Sequence, residues 1–424
     1  MKIGIPKENI KDETRVALSP ESTKKLIELG AEITIQSGAG KSASMVDDHF
    51  KDAGAKIAKA REDVFKNQDI VLCVRPPEKA DLGKMKKGAL LIGTFNPHDN
   101  KELIQDCAEK NIIAMAMDLM PRITRAQSMD ILSSQANLAG YKSVLDACEY
   151  YNRALPMMMT AAGTIPPAKV FVMGAGVAGL QAIATARRLG GVVSATDVRP
   201  AAKEQVESLG AKFIAVEDEE FKQAESAGGY AKEMSDEYKK KQAELIEQTI
   251  PKQDIVITTA LIPGRPAPKL VSEKMVKSMS PGSVIVDMAV DRGGNVTGSK
   301  AGEVTEKDGV IIIGHKNIAG RLACDASALY AKNLFNLVTI LVNKEKSQLD
   351  IDWDDDIVKG ITLTKEGKVI HPDFENLVKK TSSKSTTKKP KSGQSSKSGS
   401  RTSKKSSSSA GAQKSSSKGK KKGS

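Results

Sequence analysis

Apolar and polar positions along the chain fall into blocks that switch between two periods. Short apolar runs at Lys2–Ile5, Glu32–Gln36, Asp69–Val74, Ala89–Phe95 and Ile112–Met117 read as strands. Between them lie stretches with helical spacing. Ser19-Pro20-Glu21 opens one helix, with Ser19 as N-cap and Pro20 at the first helical position, and Gly30 closes it. Lys101–Lys110 is a second. Strand and helix in alternation over residues 1–120 predict a mostly parallel α/β sheet. Residues 125–150 are predicted as one long helical stretch. Residues 168–325 form a second α/β run, with strands at Lys169–Met173, Val192–Thr196, Gln253–Ala260 and Ser283–Val286. A helical pattern returns from Ala326 to Val342. Asp350–Pro372 reads as a small polar appendix carrying Trp353. From about Lys379 the chain is Lys, Ser, Gly and Thr, a composition that buries no core and is expected to be disordered.

The second α/β run begins with Gly174-Ala175-Gly176-Val177-Ala178-Gly179, a GxGxxG turn after an apolar strand and before a helix that runs through Leu180–Leu189. The motif alone is weak; its complete context makes it specific. Gly174 allows the tight turn, Gly176 lets backbone approach a pyrophosphate, and Gly179 lets the helix pack close to the strand. The helix N-terminus offers N–H groups to phosphates. The next strand ends at Asp197, followed by Val198 and Arg199. A carboxylate there accepts from adenosine ribose hydroxyls and repels a 2′-phosphate, which favours NAD over NADP. Arg199 argues the other way, since an arginine pairs with phosphate. Thr259 and Ala260, which end the strand at Gln253–Ala260, and Leu261 and Pro263, in the loop after it, are placed over a cofactor. An ordinary Pro/Gly turn is the plain alternative.

Arg122, Gln127, Asp130 and Ser133 form a second constellation. On a continuous helix the last three share one face, where they could hold a nicotinamide carboxamide and ribose. Thr124 and Gln127 equally fit a capping box, with Asp130 as a solvated first-turn acid. Both readings stand. Histidine or lysine in a catalytic setting is harder to find. His315, after a strand, is the best candidate, and a satisfied turn residue is an equal reading. Hydride exchange between two nicotinamides needs positioning rather than a proton donor.

The 424 residues carry 65 Lys and Arg against 52 Asp and Glu. Residues 379–424 hold 15 of the bases and no acid, which leaves residues 1–378 at −2. The basic balance therefore belongs to the tail, and no nucleic-acid partner is expected. Cys73, Cys107, Cys148 and Cys324 form no CxxC pair and the four histidines no cluster, so neither a metal site nor a disulfide framework is expected. A reducing compartment fits best. No apolar run is long enough to span a membrane, and the first residues lack a secretory h-region.

The chain resembles the NAD(H)-binding subunit of proton-translocating nicotinamide nucleotide transhydrogenase over about residues 1–372. Segments 125–130, 156–164, 174–180, 196–202, 227–234 and 258–268 carry the likeness. The resemblance implies two Rossmann-like domains with the cofactor in the cleft between them. Their expected extents are 1–135 with 326–372, and 136–325, followed by a tail at 373–424. It also implies hydride transfer from NADH bound here to NADP⁺ on a partner β subunit, coupled to proton translocation by membrane-spanning partners. A homodimer is implied, peripheral on the cytoplasmic face of a bacterial inner membrane. Arg122, Gln127, Asp130 and Ser133 then lie around the nicotinamide. Gly229, Tyr230 and Met234 belong to a mobile loop that closes over nucleotide. The fold is also similar to alanine dehydrogenase. Arg15 matches that family's substrate-carboxylate arginine, but Arg75 replaces its lysine and Asn96 its catalytic histidine. Oxidative deamination is therefore not expected. The basic tail departs from the transhydrogenase pattern; a solubilising extension and contact with anionic lipid are its two readings.

Overall fold

A computed structural model describes residues 1–224, 234–262 and 264–375. The first sheet is built from β1 (Lys2–Ile5), β2 (Glu32–Gln36), β3 (Lys56–Ala58), β4 (Ile70–Leu72), β5 (Leu90–Gly93) and β6 (Ile113–Ala116). Their order is β3-β2-β1-β4-β5-β6, all parallel. A hairpin follows, β7 (Met158–Thr160) against β8 (Gly163–Ile165). The second sheet contains β9 (Lys169–Met173), β10 (Val192–Thr196), β11 (Lys212–Phe213), β12 (Ile255–Thr258), β13 (Val284–Asp287), β14 (Val304–Lys307) and β15 (Val310–Ile313). Its order is β11-β10-β9-β12-β13-β15-β14, parallel except for the β14 edge. Both sheets reverse direction beside their first strand, so the expected pair of doubly wound α/β sheets is what the chain forms.

The central strands are covered on both faces. Ile70, Val71 and Leu72 are fully buried, as are Val256 and Ile257. Such strands read as continuous apolar runs rather than as alternation, which is why they stand out in the sequence. Ser19 caps the first helix as expected, its side chain accepting from Ser22 N–H at 3.2 Å, with Pro20 at the helix start.

Two segments tie the sheets together. The helix Ile131–Tyr150 begins in the core of the first sheet, at Ile131, and ends in that of the second, at Val144 and Ala147. The helix Ala323–Leu341 returns the chain to the first core through Tyr330, Leu334, Leu337 and Leu341.

Two details differ from the sequence reading. The stretch 125–150 is not one helix. Thr124–Met129 is a 3₁₀ turn, and the chain is extended at Asp130 before the α-helix starts. Ser128 O, which a continuous helix would offer to residue 132, instead accepts from Asn333 Nδ2 at 2.8 Å and Asn336 Nδ2 at 2.9 Å. The helical alignment of Gln127, Asp130 and Ser133 is therefore lost. Thr124 makes no capping bond, and the true N-cap is Asp130. The polar appendix packs on the first sheet. Ile357, Val358 and Ile361 are buried, and Thr364 Oγ1 both accepts from Ala114 N–H and donates to Ile112 O beside β6. Finally, Phe374, assigned to the tail, is fully buried between the rings of His98 and His371.

Candidate functional site

The glycine turn joins β9 to the helix Val177–Arg188. Gly174 has φ +104, where a side chain is strained, and a Cβ there would lie 2.5 Å from Thr259 Oγ1. That hydroxyl donates to Gly174 O at 3.1 Å, so the chain after β12 clamps the turn. A Cβ on Gly179 would stand 1.8 Å from Gly174 O. Gly176 is different, because a Cβ there would meet nothing within 4 Å. Gly176 is also the N-cap and has no side-chain cap bond. The first amides of a twelve-residue helix thus open onto unfilled space, with Val177 41% exposed at its edge. That is the geometry an anionic diphosphate needs.

Asp197 follows β10 and is held against this turn. It accepts from Ala175 N–H at 2.7 Å, from Arg199 N–H at 2.9 Å, and from the Arg199 guanidinium at 2.9 and 3.0 Å. Val198, between them, is exposed. Thr259 and Ala260 are half-buried beside the turn and Leu261 is exposed. Pro263, Gly229 and Tyr230 lie outside the described residues. Met234 is buried in the core of the second sheet.

Two side chains without a motif of their own set the loops at this edge. Asp287, fully buried at the end of β13, accepts from Ala289, Asn295 and Val296 N–H at 3.0–3.1 Å. Asn295, also fully buried, bonds both N–H and C=O of Ala260 and the carbonyl of Pro268. A buried acid ending a strand before Gly293-Gly294-Asn295 is the available sequence signal. Its partners are set by folding.

The carboxyl ends of both sheets face a shared cleft of about 1190 Å³. Its walls include Asn9–Glu13 after β1, Arg75–Lys79 after β4, and Met288, Ala289, Asp291 and Arg292 after β13. A smaller cavity of about 250 Å³ adjoins it, lined by Arg15, Arg75, Asn96, Gln135, His315 and Asn317 among others. The glycine turn lines neither cavity. The bridging helix connects it to the smaller one: Leu132, Gln135, Ala136 and Ala139 line that cavity, and Gly140 packs on Ala178 beside the turn. From Leu132 to Gly140 is ~12 Å along a helix.

Arg122 and Gln127 are exposed just before the bridging helix. Asp130 and Ser133 are joined, with Ser133 N–H and Oγ donating to the Asp130 carboxylate at 3.0 and 2.5 Å. None of the four lines either cavity. His315 is half-buried, its Nε2 has no partner, and burial followed by the Arg321 charge pushes its pKa below the usual value. Arg15 is 6% exposed, and each guanidinium nitrogen has a partner, Glu13 taking Nε and Nη2 and Gln135 taking Nη1. Among the described residues no three His, Cys, Asp or Glu gather as a metal site, and no helix is long and apolar enough to cross a membrane.

Residues 4–139 match the alanine dehydrogenase/PNT N-terminal domain, and residues 143–372 match the alanine dehydrogenase/PNT C-terminal domain. The chain is 53% identical over 377 residues to the first segment of the NAD(P) transhydrogenase α subunit of Rhodospirillum rubrum, covering 88% of this chain and 98% of that one. The crystal structure of transhydrogenase from Sinorhizobium meliloti matches with a TM-score of 0.80 at 54% identity, over 87% of this chain and all of that one. Alanine dehydrogenase of Methanococcus maripaludis is more distant, 28% identical over 380 residues, 88% of this chain and 95% of that one. With both family domains matched over nearly all the described residues, the chain belongs to the alanine dehydrogenase/PNT family, and within it to the NAD(P) transhydrogenase α subunits.

Proposed function

We propose that this chain is the NAD(H)-binding half of a proton-translocating transhydrogenase. Hydride passes between the NAD(H) it holds and NADP(H) carried by a partner β subunit. Membrane-spanning partners couple that transfer to proton translocation and hold the chain on the cytoplasmic face of a bacterial inner membrane. The observation that carries the reading is the unfilled space at Gly176, beside uncapped helix amides, with Asp197 anchored to Ala175 N–H one residue away.

Bound NAD(H) supplies the hydride-exchanging carbon. The protein's role is to position it. Gly174, Ala175, Gly176, Val177 and Gly179 present backbone to the pyrophosphate. Asp197, with Val198 and Arg199 beside it, meets the adenosine ribose. Thr259, Ala260, Leu261 and Pro263 cover the nucleotide, braced by Asn295. Arg122, Gln127, Asp130 and Ser133 hold the nicotinamide end. Gly229, Tyr230 and Met234 complete the set of residues assigned to the nucleotide. None of this needs a proton donor at Asn96 or a carboxylate site at Arg15, whose donors Glu13 and Gln135 already take.

The domain division 1–135 with 326–372, and 136–325, belongs to the same reading, with the bridging helix lining the smaller cavity beside the cleft. A homodimer belongs to the same reading. The hairpin β7–β8 is exposed at every residue, including Met158, Met159 and Ile165, and a second copy of the chain would cover it.

The test is a hydride-transfer assay. Purified chain is mixed with NADPH, acetylpyridine adenine dinucleotide and an isolated NADP-binding transhydrogenase domain. Reduction of the analogue only when the partner is present is expected. No transfer with an active partner, folded chain and intact NADH binding would overturn the reading.

A further inference from the structure

Asp197 does not meet the ribose end of the site alone. Its Oδ1 accepts from Arg199 N–H and Nε, both at 2.9 Å, and its Oδ2 from Arg199 Nη2 at 3.0 Å and Ala175 N–H at 2.7 Å. The carboxylate is 8% exposed and the arginine side chain 29%. With one residue between them, the guanidinium folds back onto the acid. The site therefore holds, in contact, the two groups that decide between a 2′-hydroxyl and a 2′-phosphate. A carboxylate accepts from ribose hydroxyls and repels phosphate. A guanidinium is the permanently charged, planar partner that phosphate takes in bidentate fashion. Here the charges offset one another, and two guanidinium donors are committed to Asp197.

We propose that Arg199 is a sequestered 2′-phosphate ligand, and that the Asp197–Arg199 pair, rather than Asp197 alone, sets this site's preference for NAD(H) over NADP(H). This rests on the reading that the turn binds NAD(H). Removing the charge of Asp197 does two things at once: it lifts the repulsion and releases Arg199 Nε and Nη2. The pair is thus a specificity lock whose positive half is already in place. A subunit that works beside a carrier of NADP(H) gains from such a lock, since the partner's nucleotide would otherwise compete for its own site.

The experiment titrates NADH and NADPH, by nucleotide fluorescence, into full-length wild type, Asp197→Asn, Asp197→Ser, Arg199→Met and the double variant Asp197→Asn/Arg199→Met. Far-UV circular dichroism checks folding, and the serine variant serves if the asparagine variant does not fold. Wild type is expected to prefer NADH. Asp197→Asn should weaken NADH about tenfold and tighten NADPH at least about tenfold, the scale of one charge-assisted contact. Arg199→Met should gain no NADPH affinity, and the double variant should lose the gain. A folded Asp197 variant with no tighter NADPH binding overturns the proposal, as does a double variant that keeps the gain. Wild type that binds neither nucleotide overturns the NAD(H) reading as well. Wild type that binds NADH, followed by no gain at Asp197, overturns the lock alone.

Discussion

Gly140 lies against the carbonyl of Ala178, so closely that a Cβ on Gly140 would stand 2.1 Å from that oxygen. The contact joins the bridging helix to the helix of the glycine turn. It fixes the smaller cavity relative to the site assigned to pyrophosphate.

Gly140→Ala puts two effects in opposition. Alanine favours a helix interior over glycine by about 1 kcal/mol. Overpacking against backbone costs about 1–3 kcal/mol, and the carbonyl cannot swing aside as a side chain would. A net loss of stability is expected in chemical denaturation, with weaker NADH binding as the turn is displaced. A variant as stable as wild type would show that the two helices separate freely.

Asp287→Ala leaves three buried backbone N–H groups without an acceptor. At about 1–3 kcal/mol for each unsatisfied group, a loss of several kcal/mol is expected by urea denaturation. Asp287→Asn keeps one acceptor and should lose less. Equal losses for both would mean that charge, rather than acceptor number, holds the loop.

Gln127 is exposed on the 3₁₀ turn and makes no capping bond. Gln127→Asn should therefore leave stability within about 0.5 kcal/mol, the usual range for surface changes. Partner-dependent hydride transfer should slow with NADH binding largely kept. Unaltered transfer would remove Gln127 from the nicotinamide end.

Glu8 and Glu13 titrate in opposite senses. Burial pushes Glu8 up to about 7, against hydrogen bonds from Val74 and Arg75 N–H. Burial pushes Glu13 the same way, but the hydrogen bond and charge of Arg15, with the charge of Arg75, outweigh it and hold Glu13 at about 2. Both start from 4.5. The stability from Glu8 is complete below pH 4.5 and is lost as pH rises through 7. That from Glu13 is complete above pH 4.5 and is lost as pH falls through 2. Each amounts to roughly 3 kcal/mol, so together they favour stability near pH 4.5. Denaturation series across pH should show the decline from 4.5 to 7 flattened in Glu8→Gln. A decline unchanged in that variant would assign it to other groups.

Met159 is 78% exposed on the hairpin β7–β8. Met159→Asp would place a charge in the proposed dimer contact. Light scattering after size exclusion should find wild type as a dimer and this variant shifted toward monomer. A dimer of unchanged strength would move the interface elsewhere.

The features legible in the amino-acid order are those whose causes lie within a few residues. Buried parallel strands read as apolar runs because both faces are covered. The glycine turn stands out because the positive φ of Gly174 and the close approach of Gly179 to Gly174 O are local backbone requirements, and Ser19-Pro20 marks a helix start for a local reason too. Contacts between distant segments decide the rest. The capping box expected at Thr124 and Gln127 does not form, and Asp130, read as a first-turn acid, is the N-cap. Asn333 and Asn336, some two hundred residues on, take the Ser128 carbonyl and so break the helix ahead of Asp130. Phe374 reads as the start of a polar tail, yet the rings of His98 and His371 enclose it. Asn295 braces Ala260 across a gap in sequence that no local pattern spans. Arg199 is the exception: its partner Asp197 is only two residues away, yet the order of residues leaves open whether it faces a phosphate or that carboxylate, and the structure has it on Asp197 at 2.9 Å.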